Sequence, residues 1–138
     1  MAAITRIDVR LKTGFADGAS TDGDVYLSIG GREFSLDSAD NDFQAKSDRT
    51  YTLGTGANVQ NASDNNPSKP FQLRTENLDR FPVYLRFAPQ NRDDKWNVGF
   101  VSAVVNPGPQ QVQFQALGGN DNLWLGTHAG LTCHLAKS

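Results

Sequence analysis

The sequence predicts an all-β protein, a two-sheet antiparallel β-sandwich of about eight strands. Three observations carry this. Apolar and polar residues alternate at period two along most of the chain. The alternating segments are short and are separated by clusters of Gly, Pro, Asn, Asp and Ser. No window sustains apolar residues at i, i+3, i+4 and i+7, so an amphipathic helix has no basis. A closed barrel is the alternative use of such strands. Many short strands with regular turns favour the sandwich.

Each element follows from its own pattern. Ile7, Val9 and Leu11 alternate with Asp8, Arg10 and Lys12, which is a half-buried strand. An acidic turn follows, and Val25, Leu27 and Ile29 repeat the alternation. Gly30-Gly31 supplies the positive backbone angles of a tight hairpin into Phe34 and Leu36. Tyr51 and Leu53 mark a short strand, and Phe71 and Leu73 suggest another. Residues 58–70 are the longest polar stretch and read as a surface loop. Val83, Leu85 and Phe87 form the next strand. Trp96, Val98 and Phe100 share one parity, and Val101, Ala103 and Val105 take the other. Such a switch predicts a bulge or a strand buried on both faces. Val112 and Phe114 follow a Pro-Gly-Pro turn. Leu123 and Leu125 open the last segment, and Leu131, Cys133 and Leu135 close it.

Composition removes several function classes. The chain has 138 residues, enough for one core without a stabilising metal or disulfide. Cys133 is the single cysteine, so no internal disulfide framework exists. Net charge is −2, and cations such as Arg6, Arg10, Arg74, Arg80, Arg86 and Arg92 are scattered singly. No nucleic-acid partner is expected of such a surface. The opening residues MAAITRIDVR alternate and lack the apolar stretch of a signal peptide. No run approaches the length of a membrane span. The expectation is a soluble domain over residues 1–138, either cytoplasmic or exported by a leader outside this chain.

The chemistry is concentrated in residues 13–31, TGFADGASTDGDVYLSIGG. Asp17, Asp22 and Asp24 stand at one turn beside Ser20, Thr21 and backbone carbonyls. Crowded oxygens of this kind suit a hard cation. Asp also outnumbers Glu, whose only copies are Glu33 and Glu76. Short carboxylates cap turns through local hydrogen bonds, which accounts for most of them without a metal. Enzyme chemistry has little to stand on. His128 and His134 are expected to face solvent, and Cys133 points away from His134 as a small buried hydrophobe. No GxSxG, HExxH, Walker loop or CxxC is present. Trp96 shares the parity of core residues. Trp124 has the opposite parity to Leu123 and Leu125, which places it on an outer face fit for lipid, glycan or protein.

Three motifs together resemble the PLAT/LH2 domain, the lipoxygenase-homology β-sandwich. The first is Thr13-Gly14, Gly18-Ala19, Thr21-Asp22 and the strand Val25-Tyr26-Leu27-Ser28-Ile29. The second runs from Phe43 through Asp48 to Tyr51. The third is Asn91-Arg92-Asp93-Asp94-Lys95-Trp96, an acidic loop before a Trp that opens a long strand. They occur in the family's order and cover most of the chain. Two departures stand out: residues 54–70 look like an insertion, and Lys95 separates Asp94 from Trp96.

The resemblance implies an eight-stranded sandwich without catalysis of its own. Such domains accompany lipoxygenases, lipases, bacterial phospholipase toxins and polycystins, or stand alone. They dock on membrane lipid or protein partners, and several bind calcium in end loops. On this chain the implied calcium ligands are Asp17, Asp22, Asp24, Asp93 and Asp94, at one end of the sandwich. Phe15, an aromatic in the acidic turn, and Trp124 and His128 of the last segment are the expected partner-binding residues. The alternatives are a lectin-like sandwich that binds carbohydrate through Trp124, His128 and residues 120–122, or a toxin-associated, self-assembling structural module.

Overall fold

The computed structural model describes residues 2–117 and 123–138. It contains ten strands in two antiparallel sheets, as the alternation requires. In order they are β1 (Arg6–Thr13), β2 (Asp24–Ile29), β3 (Arg32–Ser35), β4 (Asp48–Gly54), β5 (Tyr84–Ala88), β6 (Lys95–Val105), β7 (Val112–Ala116), β8 (Leu123–Gly126), β9 (Thr132–His134) and β10 (Ala136–Lys137). The first sheet has the order β10-β7-β6-β1-β4, with β8 also on β6; the second has the order β3-β2-β5-β9.

The core lies between the sheets. Ile7, Val9 and Leu11 of β1 face Val25, Leu27 and Ile29 of β2, with Leu85 and Phe87 of β5 completing the layer. Phe43, Trp96 and Phe87 form a chain of tilted ring contacts at 5.3 and 5.8 Å between centroids. Ring pairs at such spacings add to the area they bury. The Trp96 Nε1–H donates to Thr13 Oγ1 at 2.9 Å, so the one polar atom of the buried indole is paired.

The parity switch in β6 is a bulge. Lys12 pairs with Phe100 but Thr13 pairs with Val98, so Gly99 is the extra residue. Trp96 and Val98 therefore face the core before it, and Val101, Ala103 and Val105 after it. Phe100, grouped with Trp96 by sequence parity, is turned to the outer face, where Arg10 and Lys12 lie over its ring.

Two further expectations differ from the structure. Phe71 and Leu73 form no strand: Phe71 is exposed, and Leu73 is drawn inward by a bond from the Ile4 N–H to its carbonyl. A short 3-10 helix, Thr75–Asp79, follows instead. Leu131 is exposed, although its carbonyl accepts the Phe87 N–H at 2.8 Å just ahead of β9. The polar 58–70 loop runs along the free edge of β3. Asn65 Oδ1 accepts from the Ser35 N–H at 2.7 Å, the Gln60 N–H donates to the Asp37 carbonyl at 2.8 Å, and Arg32 donates to the Asn66 carbonyl at 2.7 Å. Covering an edge in this way blocks strand-to-strand aggregation. Among the described residues no helix is long and apolar enough to cross a membrane.

Candidate functional site at the acidic end

The strand directions gather four connections at one end: residues 14–23, 36–47, 89–94 and 127–131. The first two are stitched together. The Ala45 N–H donates to Ser20 Oγ at 2.8 Å, the Thr21 N–H to the Phe43 carbonyl at 3.2 Å, and the Lys46 N–H to the Gly14 carbonyl at 3.1 Å. Thr21 then joins the third. Its hydroxyl lies 2.8 and 2.9 Å from the two oxygens of Asp94, while its own oxygen accepts the Gly23 N–H at 2.9 Å. Asp94 also accepts the Gln90 N–H at 2.8 Å, which closes its own turn. Gly23 is required at this join. A Cβ there would meet the Ala88 carbonyl at 2.7 Å and Asp94 Oδ2 at 2.9 Å.

The acidic turn and the loop before Trp96 therefore meet, as the resemblance implies. Asp22, Asp93 and Asp94 line one open hollow with Ser20, Thr21 and Gln44. Asp24 stands apart from Asp93 and Asp94. It lines a neighbouring hollow with Asp22, Asp37, Asp40 and Asp42. Asp17 is exposed on its turn and lines neither hollow. Phe15 is 73% exposed on the same loop. Trp124 and His128 line a third hollow of about 150 Å³ with Arg92, Asp93 and Lys95, and the Lys95 ammonium sits 4.9 Å from the indole centroid. A cation over an indole face is attracted by the ring quadrupole. Residues 120–122, named for a sugar site, lie outside the described residues.

Sequence reasoning missed Asp37, Asp40 and Asp42. Their spacing in DSADND was the available signal, but only the fold brings them beside Asp24. Asp42 anchors its loop. It accepts the Ser38 N–H at 2.8 Å, the Ser38 hydroxyl at 2.6 Å and the buried Tyr51 hydroxyl at 2.8 Å. Burial pushes its carboxyl up, but the bonds from Ser38, Tyr51 and Asp37 outweigh that and hold it below the usual range. Asp37 goes the other way. Partial burial, then its hydrogen bond to Asp42 and the charges of Asp42 and Asp24, raise it. Burial likewise raises the Tyr51 hydroxyl, and the hydrogen bond to Asp42 adds to this. It raises the Cys133 thiol as well, leaving a poor nucleophile.

In kind, the oxygens of this end fit a hard cation: carboxylates, hydroxyls and side-chain amides on loops. In arrangement they form open hollows. Among the described residues no three Asp, Glu, His or Cys side chains are grouped to hold a metal ion.

No protein-family model matches the sequence, and no curated protein does. Solved structures do match in fold. The alpha toxin from Clostridium absonum superposes with a TM-score of 0.64 at 20% identity, over 98% of this chain and 32% of the toxin. An alpha toxin from an avian strain of Clostridium perfringens gives 0.61 at 16% identity, over 97% of this chain and 32% of the toxin. A coral 8R-lipoxygenase, described as calcium-activated through a C2-like domain, gives 0.57 at 19% identity, over 96% of this chain and 17% of the enzyme. The chain thus spans about a third of the toxins and about a sixth of the lipoxygenase. Nearly all of this chain shares its fold with the PLAT/C2-like domains of these toxins and lipoxygenases, the sandwich its own motifs resemble.

Proposed function

We propose that the chain is a non-enzymatic binding module that docks through its acidic end onto a lipid membrane, with calcium bound by the loops carrying Asp17, Asp22, Asp24, Asp93 and Asp94. The observation that carries this reading is the Thr21–Asp94 join, which sets the acidic turn beside the loop before Trp96 and on the same end as exposed Phe15. Physical need supports it too. Asp22, Asp24, Asp37, Asp40 and Asp42 line one hollow; Arg49 pairs with Asp40 at 3.0 Å and with Asp42 at 3.8 Å, and the charges of Asp42 and Asp24 still oppose that of Asp37. Calcium would supply the neutralising charge between carboxylates and anionic headgroups. The residues themselves hold the loops in register, and Phe15 offers an aromatic ring for the interface. The coral lipoxygenase, calcium-activated through a domain of this fold, is consistent with the reading.

The test has two parts. Thermal unfolding with millimolar calcium against chelator should show a rise in melting temperature, by mass action on the folded state. Co-sedimentation with vesicles containing phosphatidylserine should then increase with calcium and fall for Phe15→Ala. No thermal shift removes the metal, and calcium-independent behaviour of Phe15→Ala removes the docking end. A second reading, a carbohydrate site, is favoured only by the Trp124–His128 hollow. A glycan array comparing wild type with Trp124→Ala separates it from the first.

A further inference from the structure

The opposite end of the sandwich has a different chemistry. Phe71 is 75% exposed and Phe81 is 43% exposed, and both lie in segments that meet at the β2–β3 turn. The geometry fixes this. A Cβ on Gly31 would lie 3.3 Å from the Phe81 ring, and one on Gly30 would lie 3.1 Å from Leu73. The neighbouring Arg32 reaches the Phe71 carbonyl at 3.4 Å while holding the Asn66 carbonyl at 2.7 Å. Two loop segments that carry exposed aromatics thus pack at the same turn: one brings the Phe81 ring there, and the other brings Leu73 and the Phe71 carbonyl. Both rings are next to prolines, Pro70 and Pro82, and those are exposed as well.

Cations adjoin the rings in sequence: Lys69 stands two residues before Phe71 and Arg80 directly before Phe81. Lys69 and Arg80 are exposed, and neither has an ion pair among the described residues. The nearby acids are committed elsewhere: Glu76 to Arg74 at 2.9 Å and Asp79 to Lys137 at 3.2 Å. Asp64 lies off this turn, since its neighbour Asn65 is bound to Ser35 along the β3 edge. Exposed aromatics at loop tips with unpaired cations beside them match an anionic lipid surface. Rings settle at the headgroup level and each cation gains from the negative surface potential.

We infer that the end formed by Lys69, Phe71, Arg80 and Phe81 docks onto anionic lipid without calcium. This surface is independent of the acidic end. It uses attraction where the acidic end needs charge neutralisation.

The experiment is co-sedimentation of the full chain with vesicles of phosphatidylcholine containing one-third phosphatidylserine, in chelator throughout, with pure phosphatidylcholine as reference. Binding to the anionic vesicles alone is expected, weakening as salt rises to 0.5 M. Phe71→Ala should weaken it at least tenfold. The Lys69→Glu/Arg80→Glu variant should abolish it. Both variants change exposed residues, so far-ultraviolet circular dichroism and melting temperature should match wild type. Absence of binding in chelator overturns the inference, and so does binding that both variants retain. Calcium-dependent binding measured on the same variants reads the acidic end separately, so either surface can fail alone.

Discussion

The two ends of this sandwich are made from the same kind of material, loops between short strands, yet they oppose each other chemically. One end crowds Asp22, Asp24, Asp37, Asp40 and Asp42 into a shared hollow and ties its loops with side-chain hydrogen bonds to carboxylates. The other end buries its apolar anchors, Leu73 and Leu78, and leaves Phe71, Phe81, Lys69 and Arg80 outside. The acidic end is held by polar bonds, so its stability and its charge are coupled. The aromatic end is held by packing of Leu73 and Leu78 and by bonds to backbone carbonyls, from the Ile4 N–H, Ser68, Gln72 and Arg32, so the side chains of Phe71, Phe81, Lys69 and Arg80 are outside that framework. Changes at the first should therefore disturb folding and binding together, while changes at the second should disturb binding alone.

Four substitutions test that contrast. The largest effect is expected from Asp42→Ala, which leaves the Ser38 N–H and the buried Tyr51 hydroxyl without an acceptor. A loss of about 3 kcal/mol in denaturant unfolding is expected from two orphaned donors. A loss under 1 kcal/mol would mean the loop has another anchor. Next is Gly23→Ala, whose Cβ would press on the Ala88 carbonyl and Asp94. Overpacking of this kind costs about 1–3 kcal/mol. The calcium-induced thermal shift should shrink with it, and an unchanged shift would separate the join from the metal.

A third test uses pH. Asp42 is held below the ordinary carboxylate range, so its contribution is present at neutral pH and is lost as pH falls through its folded value. Asp37 is raised, so its contribution is present in acid and lost as pH rises through its folded value. Asp37→Asn should therefore raise the melting temperature at pH 7 and bring no gain at pH 3. A gain equal at both pH values would contradict the crowding. The smallest effect on folding belongs to Phe71→Ala at the other end. An exposed side chain without partners should change stability by no more than about 0.5 kcal/mol. A larger loss would show that this ring has a structural role.

The sandwich was legible because alternation and turn residues are local. Gly30-Gly31 sits at positive φ in the hairpin its sequence announces, and the β6 parity switch shows itself as the Gly99 bulge. What was illegible depended on distant partners. Phe71 and Leu73 look like a strand, but contacts with Ile4 and Gly30 decide their fate. The acidic turn was visible as half of a proposed site, and the resemblance paired it with residues 91–96. The 37–42 loop was missed, because its approach to Asp24 is a product of the β2–β3 hairpin and the Asp42–Tyr51 bond. The aromatic end was invisible as a surface, since Phe71 and Phe81 are ordinary core residues until the fold turns them out.

The length of β6 has a consequence for how the molecule moves. Its eleven residues run from one end of the sandwich to the other. At about 3.3 Å each they separate the ends by about 35 Å. That is several times the screening length of physiological salt, about 8 Å. Each end therefore acts on its own surroundings, and a net charge of −2 conceals a dipole. If the aromatic end docks as inferred, an anionic bilayer would exert a torque on the chain before contact, and Phe71 and Phe81 would lead. Calcium on the acidic loops would weaken that torque, so ion concentration would select the orientation of approach.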